Sequence, residues 1–214
     1  KPLSLLGPNE NISAVTGTRN PEAILKKKIG VSAGTVDVTI SGFEFNGITS
    51  GTGGAIFASK ETDNCTITNN RFINCSDGIR FESILIPGGQ DITVTGNLIS
   101  GITETNGEGI ILGNPSGSTV VSNNKIDFSG TSNGRTGIFA VSATGTTISE
   151  NEISGTSEYG IRVHGITGNL TIENNSISNT NSNSDTDKGA IGIGGPYTLY
   201  DGTNFFTEPS EFNN

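Results

Sequence analysis

The sequence has no methionine and no tryptophan, only one histidine and two cysteines, and few aromatic residues, at 6% of the chain. No apolar run approaches the ~20 residues that a membrane-spanning helix needs, so no such helix is predicted in these 214 residues. Glycine, by contrast, is abundant at 31 of 214 residues. This composition is typical of an all-β chain that is rich in turns.

Charge is also scarce, and basic charge most of all. Charged residues make up 15% of the chain, and 12 basic against 21 acidic residues give a net charge of -9. Nucleic acids and anionic membranes are bound through basic patches, so neither is an expected partner. An acidic surface is compatible with a secreted protein or with Ca²⁺ binding, and equally with simple solubility.

A repeat runs through most of the chain. Each copy has an apolar residue, one polar residue, a two-residue corner of Asn or Gly and a second apolar residue. The second corner residues are Phe43, Asn70, Asn97, Asn124, Asn151 and Asn175, which are 27 residues apart four times and then 24. A fixed period in the range of about 20–50 residues indicates a solenoid or a related repeat architecture.

Three short strands are predicted in each copy. Alternation in Thr66-Ile67-Thr68 places the central aliphatic residue on one face, and Phe72 provides the next inward position after the corner. A variable loop then leads to a strand that opens with Gly-Ile or Ala-Ile. One copy is too small to bury a core alone, so stacked copies are expected to form a parallel β-helix of about six to eight turns. Asparagines stacked at the corner could pass amide hydrogen bonds between turns.

The remaining segments and the cysteines are assigned by register. Residues 1–35 are predicted to form N-terminal turns, residues 36–193 the regular repeats and residues 194–214 a C-terminal cap or linker, all within one domain. Cys65 and Cys75 fall at inward positions, as two buried thiols or as a disulfide in an oxidising compartment. The chain starts at Lys1 inside a strand-like run, and we expect it to be a mature or excised segment of a larger protein.

The repeat over about residues 36–193 resembles the right-handed parallel β-helix of pectate-lyase-like proteins. The opening KPLSLLGPN, with TGTRNPEAIL and VDVTISGFEFNG, is similar to the first turns of secreted and surface proteins of that class. The resemblance implies an extracellular or cell-surface module. Relatives of this class include polysaccharide lyases, pectin esterases and mannuronan epimerases, together with many non-catalytic members, so the motif is specific for fold and not for function.

The resemblance also implies a substrate groove along the outward side of the Gly-Ile strands. Tyr159-Gly160-Ile161-Arg162-Val163-His164 is similar to an epimerase motif in which Tyr-Gly-Ile precedes Asp-Pro-His-Asp. Tyr159 and His164 match, but Arg162 and Gly165 stand in place of the two carboxylates. Uronate chemistry needs a base, a cation and a proton donor, which His164, Arg162 and Tyr159 could supply. We recognise no paired-carboxylate arrangement, Ser nucleophile elbow or phosphate loop.

Other outward residues predict ligand contact rather than catalysis. Aromatic and charged residues on the same strands could bind sugar rings or a protein partner. These candidates are Phe57, Arg80, Phe139, Arg162 and His164. Asp185 and Asp187 in the longest loop are weak Ca²⁺ candidates, and no other cofactor is predicted.

Function is predicted in three alternatives. The first is a non-catalytic structural or adhesive module that contacts polysaccharide or assembles into a surface layer or filament, with end-to-end self-association through its open strand edges. The second is a polysaccharide lyase or uronate C5-epimerase. The third is ice binding by the outward threonine ranks, which Val120 and Glu173 interrupt.

Overall fold

In the computed structural model the chain is a parallel β-helix, described here for residues 2–49, 53–59, 62–81, 91–113, 118–130, 133–165, 168–180, 188–194 and 212–213. Its strands, numbered β1–β22 in chain order, form three sheets, A, B and C. Successive strands of one sheet pair in parallel, because the chain passes through all three sheets before it returns to the first. Within the described residues no helix has the length and apolar character needed to cross a bilayer.

The strands of each sheet stack in sequence order. Sheet A contains β1 (Leu3–Leu6), β4 (Val36–Ser41), β7 (Asp63–Thr68), β10 (Ile92–Thr95), β13 (Thr119–Ser122), β16 (Thr146–Ser149) and β19 (Leu170–Glu173). Sheet B contains β2 (Ile24–Leu25), β5 (Glu44–Asn46), β8 (Arg71–Ile73), β11 (Leu98–Ser100), β14 (Lys125–Asp127), β17 (Glu152–Ser154) and β20 (Ser176–Ser178). Sheet C contains β3 (Ile29–Val31), β6 (Ile56–Ala58), β9 (Ile79–Phe81), β12 (Gly107–Gly113), β15 (Gly134–Val141), β18 (Tyr159–His164), β21 (Ile191–Gly194) and β22 (Phe212–Asn213), the last antiparallel to β21.

The core is a column of mostly aliphatic and phenylalanine side chains, with one or two from each strand of each packed turn. In one turn these are Ile67, Phe72 and Ile79, all essentially buried, and the rings of Phe45 and Phe72 stack with centroids 4.9 Å apart. The five turns from β4 to β18 are fully packed. This is slightly fewer than the expected six to eight, because core residues of the first and last turns, such as Leu5 and Ile172, are only partly buried.

The corner between sheets A and B is built as the sequence predicts. Its first residue adopts a left-handed backbone, with φ of 57° at Asn69 and 54° at Asn123, which asparagine tolerates. Its second residue is a buried asparagine that joins neighbouring turns. Asn97 accepts from the Asn70 backbone at 3.0 Å, and its own amide donates to Asn124 Oδ1 at 3.0 Å and to the Ile67 carbonyl at 2.9 Å. The predicted asparagine ladder is confirmed.

The cysteines are buried and free, as the first of the two readings predicts. Cys65 lies in β7 and Cys75 follows β8, and both face the core. Burial raises the pKa of the Cys65 thiol to about 11 and also raises the pKa of the Cys75 thiol, because a thiolate would have no water around it. Both thiols are therefore structural rather than reactive.

Candidate functional site

The outward face of sheet C, called here the C face, carries every described candidate residue from the sequence. The glycine of the Gly-Ile pair points inward: a Cβ on Gly78 would meet the Ile99 side chain, and one on Gly109 would meet Ile126. The residue before that glycine therefore points outward, as does the residue after the isoleucine. Two rows of outward side chains result, each with one residue per turn.

The rows are defined by the strand register. The first row contains Asp77, Glu108, Thr136 and Tyr159. The second row contains Phe57, Arg80, Ile111, Phe139 and Arg162. His164 lies two residues beyond Arg162, opposite Val141 in the same register.

The three residues of the proposed catalytic set do come together. The Arg162 guanidinium lies 5.0 Å from the centroid of the Tyr159 ring and 5.8 Å from that of Phe139. Arg162 Nε donates to His164 Nε2 at 2.6 Å. The Phe139 and His164 rings meet edge to face at 5.5 Å. The sequence motif thus predicts a real cluster.

The geometry of this cluster limits its acid-base chemistry. A guanidinium can only donate, so Nε2 of His164 is the acceptor in this hydrogen bond. The lone pair that a general base would use at Nε2 is therefore engaged by Arg162. Tyr159 and His164 are also almost fully buried, at 1% and 7% exposure. The cluster is packed as a cation held between aromatic rings.

The N-terminal part of the second row is apolar and cationic. Phe57 is half-buried, and Lys28 lies 6.0 Å from its ring centroid. Arg80 stands opposite Phe57 on one side and Ile111 on the other. Among the described residues Arg80 makes no hydrogen bond or ion pair, unlike Arg162. The structure does not bring Phe57 and Arg80 to the Tyr159 cluster, which lies four turns beyond Phe57 and three beyond Arg80.

Two carboxylates of the first row were missed by the sequence reasoning. Asp77 and Glu108 lie in adjacent turns, each only 6% exposed. The Glu108 N–H donates to Asp77 Oδ1 at 2.7 Å. The signal was present in the sequence, because Asp77-Gly-Ile and Glu108-Gly-Ile place both acids at the same position of the repeat. They are 31 residues apart rather than the 27 of the regular repeat, because a longer loop precedes β12.

Burial governs the titration of this pair. Loss of water raises the pKa of Asp77, against the hydrogen bond from the Glu108 backbone and the charges of Arg80 and Arg135. Loss of water also raises the pKa of Glu108, although Arg135 forms an ion pair with it. Perturbed carboxyl groups on one face of a fold are typical of functional sites, although ion-pair networks also produce them.

A ladder of ion pairs continues from Glu108 along the edge of the C face. Arg135 Nη2 lies 2.5 Å from Glu108 Oε1, Arg135 Nε lies 3.8 Å from Glu158 Oε2, and Lys188 Nζ lies 2.8 Å from Glu158 Oε1. Alternating charge thus joins four turns. The two acidic and two basic side chains balance, so the ladder itself carries no net charge.

Metal binding is not supported by any cluster in the part of the chain that the structure describes. There, no group of three or more His, Cys, Asp or Glu side chains is placed to hold an ion. Asp185 and Asp187, the weak Ca²⁺ candidates, lie outside the described residues.

Comparison with known proteins identifies a family. A family model described as "Periplasmic copper-binding protein (NosD)" matches residues 33–209. Neither the curated proteins nor the solved structures that were compared contain a match. The matched segment covers most of the chain and all of its regular repeats, in agreement with the observed β-helix. The chain therefore belongs to the NosD family, a family of right-handed parallel β-helix proteins with the pectate-lyase-like fold.

Proposed function

We propose that this chain is a non-catalytic β-helix module of a secreted or cell-surface protein, and that its C face contacts polysaccharide. One observation carries the proposal: the second row sets half-buried Phe57 and Phe139 in line with Arg80 and Arg162, beside the polar first row. Sugar rings present an apolar face and a rim of hydroxyl groups. A row of aromatic and cationic side chains with polar groups along one side is complementary to both.

The family supports the location. Its description is periplasmic, so the chain is an envelope-associated or secreted β-helix protein. Placement on the cell surface is the narrower part of the proposal. The buried, unreactive thiols are compatible with an oxidising compartment, since they are shielded from oxidants.

Binding to a panel of immobilised polysaccharides tests the proposal. We expect Phe57→Ala and Phe139→Ala each to weaken retention by about fivefold, since an aromatic contact contributes about 1 kcal/mol. Ile73→Ala is the matched control, because Ile73 is an outward apolar residue of similar burial on sheet B. Retention that falls equally in all three variants, or no retention of any polysaccharide, would refute a glycan contact on the C face.

Copper binding, which the family description names, does not fit the donor atoms of this chain. Copper prefers imidazole, thiolate and thioether ligands. The sequence has one histidine and no methionine, and both cysteines face the core. Nε2 of the single histidine accepts from a guanidinium, whose positive charge would repel a metal ion. We therefore derive no copper chemistry for this chain.

A uronate lyase or epimerase is the second candidate, favoured by the convergence of Tyr159, Arg162 and His164. Because Nε2 of His164 is engaged and both Tyr159 and His164 are buried, we expect no turnover of alginate or pectate. Ultraviolet absorbance of unsaturated products tests lyase activity, and proton exchange at C5 tests epimerase activity. Turnover that His164→Ala abolishes would replace the binding proposal with an enzymatic one.

Self-association is supported by exposed apolar residues at the N-terminal end of the β-helix. The large hydrophobic residues exposed in the described part of the chain are Leu3, Leu6, Ile24 and Val36, and all lie in β1, β2 or the start of β4. The outer edges of β1 and β2 make no strand pairs there. We propose that a strand edge of a second copy pairs with this end.

Light scattering across a range of protein concentrations tests the proposed self-association. We expect association that the double variant Leu3→Ser with Leu6→Ser reduces. A strict monomer at all concentrations would exclude self-association.

A further inference from the structure

The core column of the β-helix is open at both ends. At the N-terminal end a recess of about 200 Å³ has Leu3 and Leu5 in its lining, and Leu3 is 49% exposed. At the C-terminal end, formed by β19 and β20, a recess of about 640 Å³ has an apolar lining from Leu170, Ile172 and Ile193. One molecule therefore presents two apolar surfaces at opposite ends of sheet A.

The strand register connects these two surfaces. In sheet A the register line that starts at Leu5 ends at Ile172. In sheet B the line that starts at Leu25 ends at Ile177. All four side chains pack against the core but are only partly buried. A second copy that continued both sheets would place Leu5 on Ile172 and Leu25 on Ile177, and burial of these apolar surfaces would stabilise the contact.

The strand edges restrict this contact to two of the three sheets. The outer edge of β21 in sheet C already pairs with the antiparallel strand β22. Within the described residues, β19 and β20 pair on one side only, with β16 and β17. Unpaired N–H and C=O groups on such an edge can add a strand of another chain. Sheets A and B are therefore the ones that a second copy can extend.

The distribution of charge along the chain favours contact between unlike ends. Residues 1–35 contain five basic and two acidic residues, a net charge of +3, whereas residues 150–214 contain two basic and nine acidic residues, a net charge of −7. Lys26, Lys27 and Lys28 are exposed directly after β2. Two N-terminal ends would bring like charges together, and so would two C-terminal ends. An N-terminal end placed on a C-terminal end joins opposite charges.

We propose that the N-terminal end of one copy docks on β19 and β20 of the next copy, so that sheets A and B continue across the joint. The inference rests on the proposed self-association and names the surface that receives the N-terminal end. Because the two contacting surfaces differ, every added copy leaves one end of each kind open. Copies that stack in this way along the axis of the β-helix form a linear chain and not a closed dimer.

Two variants that each block one end test the joint. Leu3→Ser with Leu6→Ser blocks the N-terminal end. Asn169→Arg with Thr171→Arg blocks the C-terminal end, because both residues are exposed, line the recess and would repel the basic end of another copy. Light scattering should show a wild-type mass that rises beyond that of a dimer with concentration, and each variant alone as a monomer. An equimolar mixture should form a complex of two chains, since it retains one intact pair of ends.

A matched variant separates the recess from added charge. Val120→Arg with Ser122→Arg places the same charges on β13, two turns away from β19, and should associate like the wild type. Loss of association in this control would overturn the assignment to the recess. Dimers of the Asn169→Arg, Thr171→Arg variant alone, or a mixture that stays monomeric, would overturn the inference and leave self-association intact. A wild type that is monomeric at all concentrations would refute self-association itself.

Discussion

The two residues at the A–B corner meet two different requirements. The first corner residue must accept a left-handed backbone, and the second must satisfy buried backbone groups of the preceding turn. Asn124 accepts from the Asn97 backbone and side chain, both at 3.0 Å, and donates to the Val94 carbonyl at 2.9 Å. Asparagine has both a donor and an acceptor on a short side chain, which explains its repetition at this position.

Replacement of one ladder asparagine should therefore be costly. Asn124→Ala leaves the Asn97 N–H and the Val94 carbonyl buried without partners, and we expect a loss of about 3 kcal/mol in the free energy of unfolding. Urea denaturation measures it. Asn123→Gly is the control, since glycine also accepts the φ of 54° at that exposed corner and should change stability by only a few tenths of a kcal/mol. Similar losses in both variants would contradict a specific role for the ladder.

The buried Asp77 makes a prediction about pH. Its pKa is raised by burial, so the folded state holds the proton more tightly than the unfolded state. Stability contributed by this group is present below the ordinary Asp pKa and is lost as pH rises through the raised value. Asp77→Asn keeps an acceptor for the Glu108 N–H and removes the buried charge. Its melting temperature should exceed that of the wild type at pH 7.5, with a smaller difference at pH 3.5. A variant less stable at pH 7.5 would show that the charge itself is needed.

At the scale of elements, the loop between β1 and β2 is attached to the β-helix through Arg19, which also forms a nearly buried ion pair within the loop. Arg19 Nε lies 2.5 Å from Glu22 Oε1, with side-chain exposures of 9% and 12%. Arg19 also donates to the Ile12 and Asn69 carbonyls, at 2.7 Å and 2.9 Å, which links the loop to a corner two turns away. Burial works to raise the pKa of Glu22, but hydrogen bonds and charge from Arg19, Asn9 and Arg71 hold it below its usual value.

Breaking this pair should destabilise the N-terminal turns. Glu22→Gln leaves Arg19 buried without its counter-charge, and we expect a loss of about 3 kcal/mol at pH 7. Because the folded pKa of Glu22 is lowered, its stabilisation is present above the ordinary Glu pKa and is lost as pH falls through the lowered value. Hydrogen exchange of residues 9–21 and urea denaturation measure the effect. Glu152→Gln breaks the exposed Lys125 pair and should cost less than about 0.5 kcal/mol; equal costs would contradict the argument.

The elements differ in how far the sequence predicts them. The strands of sheets A and B follow from the repeat, because alternation and the Asn corner fix their register. β3 (Ile29–Val31) was not predicted, since its three residues show no repeat motif and become a strand only by pairing with β6. The proximity of Asp77 and Glu108 was not predicted either, because the loops before the Gly-Ile strands differ in length. It depends on strand pairing in sheet C and not on distance along the chain.

For the whole molecule, the donor set predicts that copper does not bind in a specific site. With one histidine, no methionine and two core cysteines, we expect no Cu(I) to be taken from a chelator of micromolar affinity, and Cu(II) to bind only weakly. Chelator competition measures both. His164→Ala should leave any weak Cu(II) signal unchanged. Stoichiometric binding that His164→Ala abolishes would show that Nε2 can exchange its guanidinium for a metal.

The sequence by itself determines the parallel β-helix. A period of 27 residues, inward aliphatic positions and corner asparagines each require stacked turns, since no single copy can bury its apolar residues or satisfy its corner amides. Resemblance to an epimerase motif, rather than the repeat, singles out Tyr159, Arg162 and His164, which lie in one strand, β18. Identity and spacing within a strand are local properties, and they are legible in the sequence.

Only the tertiary structure decides what those residues can do. The hydrogen bond from Arg162 to Nε2 of His164, the burial of Tyr159, and the meeting of Asp77 with Glu108 depend on how side chains of different turns settle against one another. Protonation and exposure follow from desolvation and from neighbouring charge, which are set by contacts across turns. The repeat thus specifies a scaffold, and the stacking of its unequal copies gives the C face its chemistry.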